Sequence, residues 1–402
     1  MADLNAKGFS KMGLRRVVIL GSTGTIGINT LKVIERFPRQ FQVVGLTAYH
    51  NLKLIAEQVK RFAPAYAAVK ASGIDDLKRH ISSKATKILD VDSEVDRIVS
   101  HPDVDMVVIG MRGARALGPF LKAVRSGKMV APANKEALVV AGDILLKEAR
   151  KYNAKIIPID SEQSAIFQCL EGRNGNEPEK IYLTASGGSL HRVHKNRFSR
   201  VSLRQILKHP RWKMGKKITV DSATLMNKGF EVIEAQRLFG IPPDQIEVII
   251  HREAVIHSMV EFQDGVILAQ MGVTDMRLPI QYALTYPHRL DSGLTQMNFF
   301  QLKKLTFDRP DRRKFPALDL CFHVARRGGT LPCVLNAADE EAVEAFFKGD
   351  LSFSQITKVI EKVVLRHKMI KNPDLKEILD SDQWARQEAQ SRIESLKGRD
   401  LS

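Results

Sequence analysis

Two carboxylates separated by one serine close an apolar run: residues 156–163 read IIPIDSEQ, with Asp160 and Glu162 at its end. In an extended chain side chains repeat every two residues, so these acids point one way and repel unless something positive sits between them. A hard divalent cation, Mg2+ or Mn2+, suits oxygen ligands of this kind. The other reading is a helix start, in which Ser161 or Asp160 caps the following SEQSAIFQ. These residues alone leave both open. A second acidic set lies in DSATLMNKGFEVIEAQRLFG, residues 221–240, expected as a helix beginning at Asp221. There Asn227, Glu231 and Glu234 fall at i, i+4 and i+7 on one face, with Lys228 beside them. Such a face is unremarkable when wet and costly when buried. Beside a metal it gains a use, with Glu231 as third ligand and Asn227 and Lys228 toward substrate oxygens.

A different chemistry is suggested near the N-terminus. The run RRVVIL enters Gly21-Ser22-Thr23-Gly24-Thr25-Ile26-Gly27 and then a helical pattern. Strand, glycine turn and helix in that order let the backbone approach a pyrophosphate, which the N–H groups of the helix N-terminus then hold. The spacing is GxxGxxG, and a tight structural turn is the plain alternative. The second strand ends GLTAYHN, residues 45–51, without the acid that accepts the ribose 2′-OH of NAD. NADPH is therefore the expected cofactor, with His50 and Asn51 in reach of its 2′-phosphate. Asn134-Lys135-Glu136 follows a further parallel strand, at the edge where the nicotinamide end is expected. Ser186-Gly187-Gly188 and Ser222 offer hydroxyl and N–H donors for a phosphate, and HPRWKMG, residues 209–215, offers an aromatic lid near 208–217.

Positioning these groups requires a particular scaffold. From Arg15 to Asp160 short β-rich runs alternate with helical ones, which predicts a Rossmann-like doubly wound parallel sheet over 1–160. Residues 161–286 read as a mixed α/β catalytic domain with a hairpin at Gln263-Asp264-Gly265. A Pro- and Arg-rich linker, 287–316, precedes helical periodicity over 317–402, expected as a C-terminal helical bundle. The fold class is α/β throughout the first two parts.

Composition excludes several alternatives. Cys169, Cys321 and Cys333 lie far apart, so no disulfide framework or zinc site is indicated and a reducing compartment is expected. The basic N-terminus has no apolar core and no long apolar run occurs, which points to the cytoplasm. A net charge of +17 is expected to serve an anionic small-molecule substrate and cofactor. The basic residues are scattered and not interleaved with aromatics, so no nucleic-acid partner is expected.

Taken in order, GSTGTIG, ANKEALV, PIDSEQSAIFQ, SGG, HPRWKMGKKITVDSATLMNKGFEVIEA, VIHSMV and LNAADEEAV make the chain resemble the 1-deoxy-D-xylulose 5-phosphate reductoisomerase family from about Arg15 to the C-terminal helices. The resemblance implies an NADPH-dependent, Mg2+- or Mn2+-dependent enzyme of non-mevalonate isoprenoid synthesis, a homodimer. It implies metal ligands at Asp160, Glu162 and Glu231, with Lys228 beside them at the reacting centre. It further implies substrate contacts at Ser161, Glu162, Ser186, His209, Trp212, Met214, Ser222, Asn227, Lys228 and Glu231. Cofactor contacts fall on Gly21, Thr23, Gly24, Thr25, Ile26, His50, Asn51, Asn134, Lys135, Glu136 and Gly215. This chain departs from the family pattern at Tyr49-His50, where Gly-Lys or Gly-Arg is usual, at Gln163, at Ser189-Leu190-His191, at 251–254 and at Asp339. Two rival readings remain. A semialdehyde dehydrogenase needs a thiol nucleophile, for which Cys169 is the candidate, and a redox-sensing dinucleotide regulator has no use for the acids.

Overall fold

The computed structural model describes residues 12–400 apart from 82–84, 112, 173–176 and 208–214. The predicted lid, with His209, Trp212 and Met214, lies outside the described residues. The chain forms two compact units. One comprises Met1–Ala137, Leu145–Phe167 and Asp275–Gln296, the other Leu138–Ile144, Gln168–Thr274 and Met297–Ser402.

The first unit is built on a six-stranded parallel sheet of order β4-β3-β2-β1-β5-β6. The strands are β1 (Arg15–Leu20), β2 (Phe41–Thr47), β3 (Tyr66–Val69), β4 (Lys87–Asp90), β5 (Met106–Ile109) and β6 (Met129–Pro132). Val17, Val18, Ile19 and Leu20 are all fully buried, because helices cover both faces of such a sheet and leave no solvent side for polar residues. The order reverses between β1 and β5, the switch point where the carboxyl ends of strands diverge and a ligand can enter. The expected seventh strand, AKIIPID, is reduced to a parallel bridge of Ile156 with Val130. The Ile157 and Ile159 N–H groups still donate to the Val130 and Pro132 carbonyls, so the segment lies along β6 and carries Asp160 to the same edge.

The second unit holds a four-stranded mixed sheet, order β10-β9-β7-β8. Its strands are β7 (Pro178–Ala185), β8 (Ile246–Ile250), β9 (Ile256–Phe262) and β10 (Ile267–Met271). The predicted hairpin joins β9 to β10, with Gly265 at φ +80°. Helices Pro316–Arg327, Leu331–Lys348, Phe353–Arg366 and Leu375–Asp400 form the C-terminal helical region as expected.

One helix differs from its prediction. The helix expected to begin at Asp221 starts earlier, at Lys216, and ends at Thr224; Leu225 in the left-handed region (φ +63°) then turns the chain into a second helix, Met226–Phe239. Asp221 is thus no cap. Its carboxylate takes a 2.7 Å contact from Lys217 one turn earlier, and Lys217 also pairs with Asp339 on Leu331–Lys348. Both acids are buried, at 3% and 1% exposure, so the ammonium between them offsets a charge repulsion that water cannot screen. Replacing it with an apolar side chain, Lys217→Met, is expected to lower the unfolding free energy by about 3 kcal/mol, read from urea denaturation of both proteins.

Candidate active site

The glycine turn begins where β1 stops. Gly21 has φ +79°, and a Cβ there would meet the backbone of Gly110 and Met111 at 3.0 Å. Its N–H donates to Thr47 Oγ1 (2.9 Å). Gly24 stands at the N-cap of Thr25–Arg36 with no side-chain cap and no acid in the first turn. The positive end of the helix, flanked by Thr23, Gly24, Thr25 and Ile26, is therefore left for an anion. Ser22 is buried, and its hydroxyl donates to Gln58 Oε1 (2.7 Å) while Gln58 Nε2 donates back to the Ser22 carbonyl (2.9 Å). Sequence reading missed Gln58, because a polar residue inside a helical pattern looks like surface until the turn it pins is known.

At the end of β2, His50 is exposed and Asn51 caps the helix Leu52–Phe62 by accepting from the Leu54 N–H (3.1 Å). The His50 ring meets Tyr49 edge-on, centroids 5.0 Å apart. Two cations that sequence reading did not select face the same tyrosine: Lys70 Nζ is 4.2 Å from its ring centre and the Arg115 guanidinium 5.1 Å. Lys70 follows β3 directly, so it belongs to the same strand-end edge as Tyr49. The available signal was a basic residue immediately after a parallel strand.

Asn134 is buried and does three jobs. Its side-chain oxygen accepts from Ala137 N–H (2.8 Å), capping the helix Lys135–Lys151, and its amide donates to the Met111 and Gly113 carbonyls. The next residue, Lys135, is buried and its ammonium lies 2.6 Å from Asp160 Oδ2. The expectation that this lysine touches the nicotinamide must accommodate its pairing with an acid of the proposed metal set. Glu136 sits in the first turn of the same helix.

Asp160 and Glu162 do not lie together on one extended strand. Ser161 begins a helix, Ser161–Leu170, and the Ser164 N–H donates to the Asp160 carbonyl (2.8 Å), so the two acids are not successive same-face residues of an extended strand. Glu162 in the first turn favours the helix start, since its charge meets the positive end of the helix dipole. Ser161 Oγ donates to Glu162 Oε2. The helix start expected as one reading of IIPIDSEQ is present, and the Asp160 carboxylate meets the Lys135 ammonium.

In the second unit, Glu231 is 1% exposed on the helix Met226–Phe239 and accepts from Asn227 Nδ2 and Lys228 Nζ, one turn before it. The i, i+4 face read from sequence is real, and it is buried. Ser186 Oγ accepts from the Gly188 N–H, and Gly188 (φ +70°) lies so close to Ser222 that a Cβ would come 2.4 Å from its carbonyl oxygen. Gly188 thus lies against both Ser186, through its hydroxyl, and the Ser222 backbone. Gly215 is the N-cap of Lys216–Thr224, with no side-chain cap. Cys169 is buried within Ser161–Leu170 and its thiol donates to the Leu268 carbonyl (3.6 Å), a packing role that excludes it as the exposed nucleophile of a semialdehyde dehydrogenase. Cys321 and Cys333 are buried too, and desolvation pushes both thiols up, away from the reactive thiolate.

A doubly wound sheet with an uncapped glycine turn at the start of its first helix marks the dinucleotide-binding class of proteins. Three family models match, described as 1-deoxy-D-xylulose 5-phosphate reductoisomerase (residues 17–142), its C-terminal domain (156–239) and the DXP reductoisomerase C-terminal domain (271–388). The chain belongs to the 1-deoxy-D-xylulose 5-phosphate reductoisomerase family, and it is an oxidoreductase and isomerase. The reductoisomerase of Pelotomaculum thermopropionicum is 48% identical over 93% of this chain and 97% of its own. That of a Synechococcus strain is 45% identical over 93% and 96%. Among solved structures, the Zymomonas mobilis reductoisomerase in complex with NADPH superposes with TM-score 0.89 at 37% identity, covering 95% of this chain and all of that one. A reductoisomerase in complex with NADPH, fosmidomycin and magnesium gives 0.90 at 36% identity, covering 96% and 99%.

Proposed function

We infer that the chain converts 1-deoxy-D-xylulose 5-phosphate to 2-C-methyl-D-erythritol 4-phosphate with NADPH and Mg2+ or Mn2+, in the isoprenoid pathway. What supports this reading is the donor set: Asp160 and Glu162 of the first unit and Glu231 of the second are carboxylates, the oxygen ligands that a hard dication takes. Three acids against the ammoniums of Lys135 and Lys228 leave a formal charge of −1, which a hard dication on oxygen ligands offsets. Such an ion would supply Lewis-acid stabilisation of the oxygens on which charge develops as the carbon skeleton rearranges and the carbonyl is reduced.

The chain's own side chains do the rest. Lys228 and Asn227, held on Glu231, orient substrate oxygens, and Ser161 steadies Glu162. We assign the phosphate to Ser186 and Ser222, each beside Gly188, and further substrate contacts to His209, Trp212 and Met214. The binding energy of that phosphate positions the reacting end. On the cofactor side the Gly21–Gly27 turn takes the pyrophosphate, and Asn51, Asn134, Lys135, Glu136 and Gly215 line its course. For the 2′-phosphate we assign Lys70 and Arg115 around Tyr49, together with His50, since a fixed ammonium and guanidinium are stronger anion partners than a neutral imidazole. Accordingly Lys70→Ala is expected to raise the NADPH Michaelis constant about ten-fold and leave that for the sugar phosphate unchanged. An equal effect on NADH, which lacks the phosphate, would show that Lys70 only supports the fold.

The functional division we propose is a cofactor domain over 1–160, a catalytic domain over 161–286, a linker over 287–316 and a helical domain to 402. A homodimer is favoured by the edge strand β10, at whose start Val266 and Ile267 are each 49% exposed, Val266 just ahead of the strand, and by the exposed Phe299 and Phe300. Sedimentation velocity reads that state directly. No helix among the described residues is long and apolar enough to cross a membrane, and with three free cysteines we place the enzyme in the cytoplasm. The assay that tests the whole reading is NADPH oxidation with 1-deoxy-D-xylulose 5-phosphate, with and without Mg2+; turnover indifferent to the metal, or none, refutes it.

A further inference from the structure

Within the second unit, the segment after the Ser186-Gly187-Gly188 turn packs on the segment that leads into the helix Pro316–Arg327. Between them lies a cavity of about 330 Å3 lined by Arg192, Val193, His194, Lys195, Asp311, Arg313 and Lys314. None of these residues is among those assigned to substrate, cofactor or metal. With the histidine neutral, two arginines and two lysines against one aspartate give the lining a formal charge of +3.

Two features set this pocket apart from scattered surface charge. Its lysines are already anchored: Lys195 Nζ donates to the Arg313 carbonyl (2.6 Å) and Lys314 Nζ to the His191 carbonyl (2.7 Å), each tying one wall to the other. Lys314 also lies 5.7 Å from the Phe198 ring centre and 5.1 Å from that of Phe315, held against the buried aromatic layer below. An ammonium has three donors, so each lysine keeps capacity for a ligand after its carbonyl is served. Ordering a lysine ordinarily costs binding energy, and here much of that ordering is complete before a ligand arrives. Secondly, the one acid is partly engaged by the backbone: Asp311 Oδ1 accepts from the Lys314 N–H (2.9 Å), and the lining keeps a net positive charge. Burial lowers the Lys314 pKa, and the nearby Asp311 carboxylate opposes that shift.

We propose that this cavity is an anion site distinct from the active site, taking a small diphosphate. The charge selects the class: a monophosphate dianion leaves the +3 lining under-compensated, whereas a diphosphate of charge near −3 matches it. The volume admits a small molecule, and no exposed aromatic lines the cavity to stack a nucleic-acid base.

Inorganic pyrophosphate is the probe, titrated calorimetrically into the full-length protein at physiological ionic strength, where bulk surface attraction is screened beyond about 8 Å. One equivalent is expected to bind, more tightly than inorganic phosphate. Arg192→Ala with Arg313→Ala, both exposed positions, is expected to weaken it at least about ten-fold with reductoisomerase turnover unchanged. Saturating sugar phosphate substrate is expected not to displace the probe. Undiminished binding by the double variant, displacement by substrate, phosphate binding as well as pyrophosphate, loss of turnover in the double variant, or no binding each overturns the proposal, and none of them bears on whether the wild-type enzyme turns over.

Discussion

Glu231→Gln is expected to cut turnover by about a thousand-fold or more while NADPH binds as in the wild type. Glutamine keeps the volume of a side chain that is 1% exposed; its one amide oxygen can still accept from Lys228, and Asn227 with its amide turned over can accept from the new NH2, so the helix Met226–Phe239 should retain its shape. What it loses is the negative charge. The proposed set then has two carboxylates against two ammoniums, and a dication gains little by leaving water for it. The measurement is the rate of NADPH oxidation at saturating sugar phosphate and Mg2+, alongside NADPH binding by quenching of protein fluorescence. If cofactor binding falls in step with the rate, Glu231 serves the fold or the cofactor and not the metal. Raised Mg2+ should recover part of the rate, which a purely structural lesion would not allow.

Gly27→Ala is expected to strike the other half of the chemistry. Gly27 is a buried helical residue, and a Cβ on it would lie 2.4 Å from the Ser22 Cα and 2.5 Å from the Gly21 carbonyl oxygen. Those are backbone atoms, so no rotamer change relieves the clash; either the turn opens or the helix Thr25–Arg36 moves off. Overpacking of this kind costs about 1–3 kcal/mol of stability. Because the pyrophosphate needs N–H groups at set positions, a displacement near 1 Å is expected to raise the NADPH Michaelis constant about a hundred-fold. Steady-state kinetics with each substrate varied separates this from general damage. The Michaelis constant for the sugar phosphate should stay within about two-fold, since its ligands lie outside the turn.

Much of this was legible in the chain. The six parallel strands follow from β-rich runs alternating with helical ones, and Asp264-Gly265 foretold the hairpin, because backbone preference and apolar periodicity are local properties. The Asn227–Glu231 face was equally legible, since helical spacing alone aligns i and i+4. Other features resisted for physical reasons. AKIIPID has strand composition, yet it makes one bridge beside β6, because pairing length is set by the neighbour and not by the segment. Leu225 in a left-handed conformation broke a helix that residues 216–239 otherwise favour, and no residue type there announces it.

The residues themselves determined which chemistries were available: oxygen ligands for a hard cation and a glycine turn for a pyrophosphate, while the exclusion of Cys169 as a nucleophile came from its buried placement. Only the tertiary structure decided the partnerships, Lys135 with Asp160, Lys217 between Asp221 and Asp339, Gln58 on Ser22, and Lys70 with Arg115 around Tyr49. A charged side chain acquires its meaning from the opposite charge that shares its low-dielectric surroundings, and that neighbour lies from a few to more than a hundred positions away along the chain.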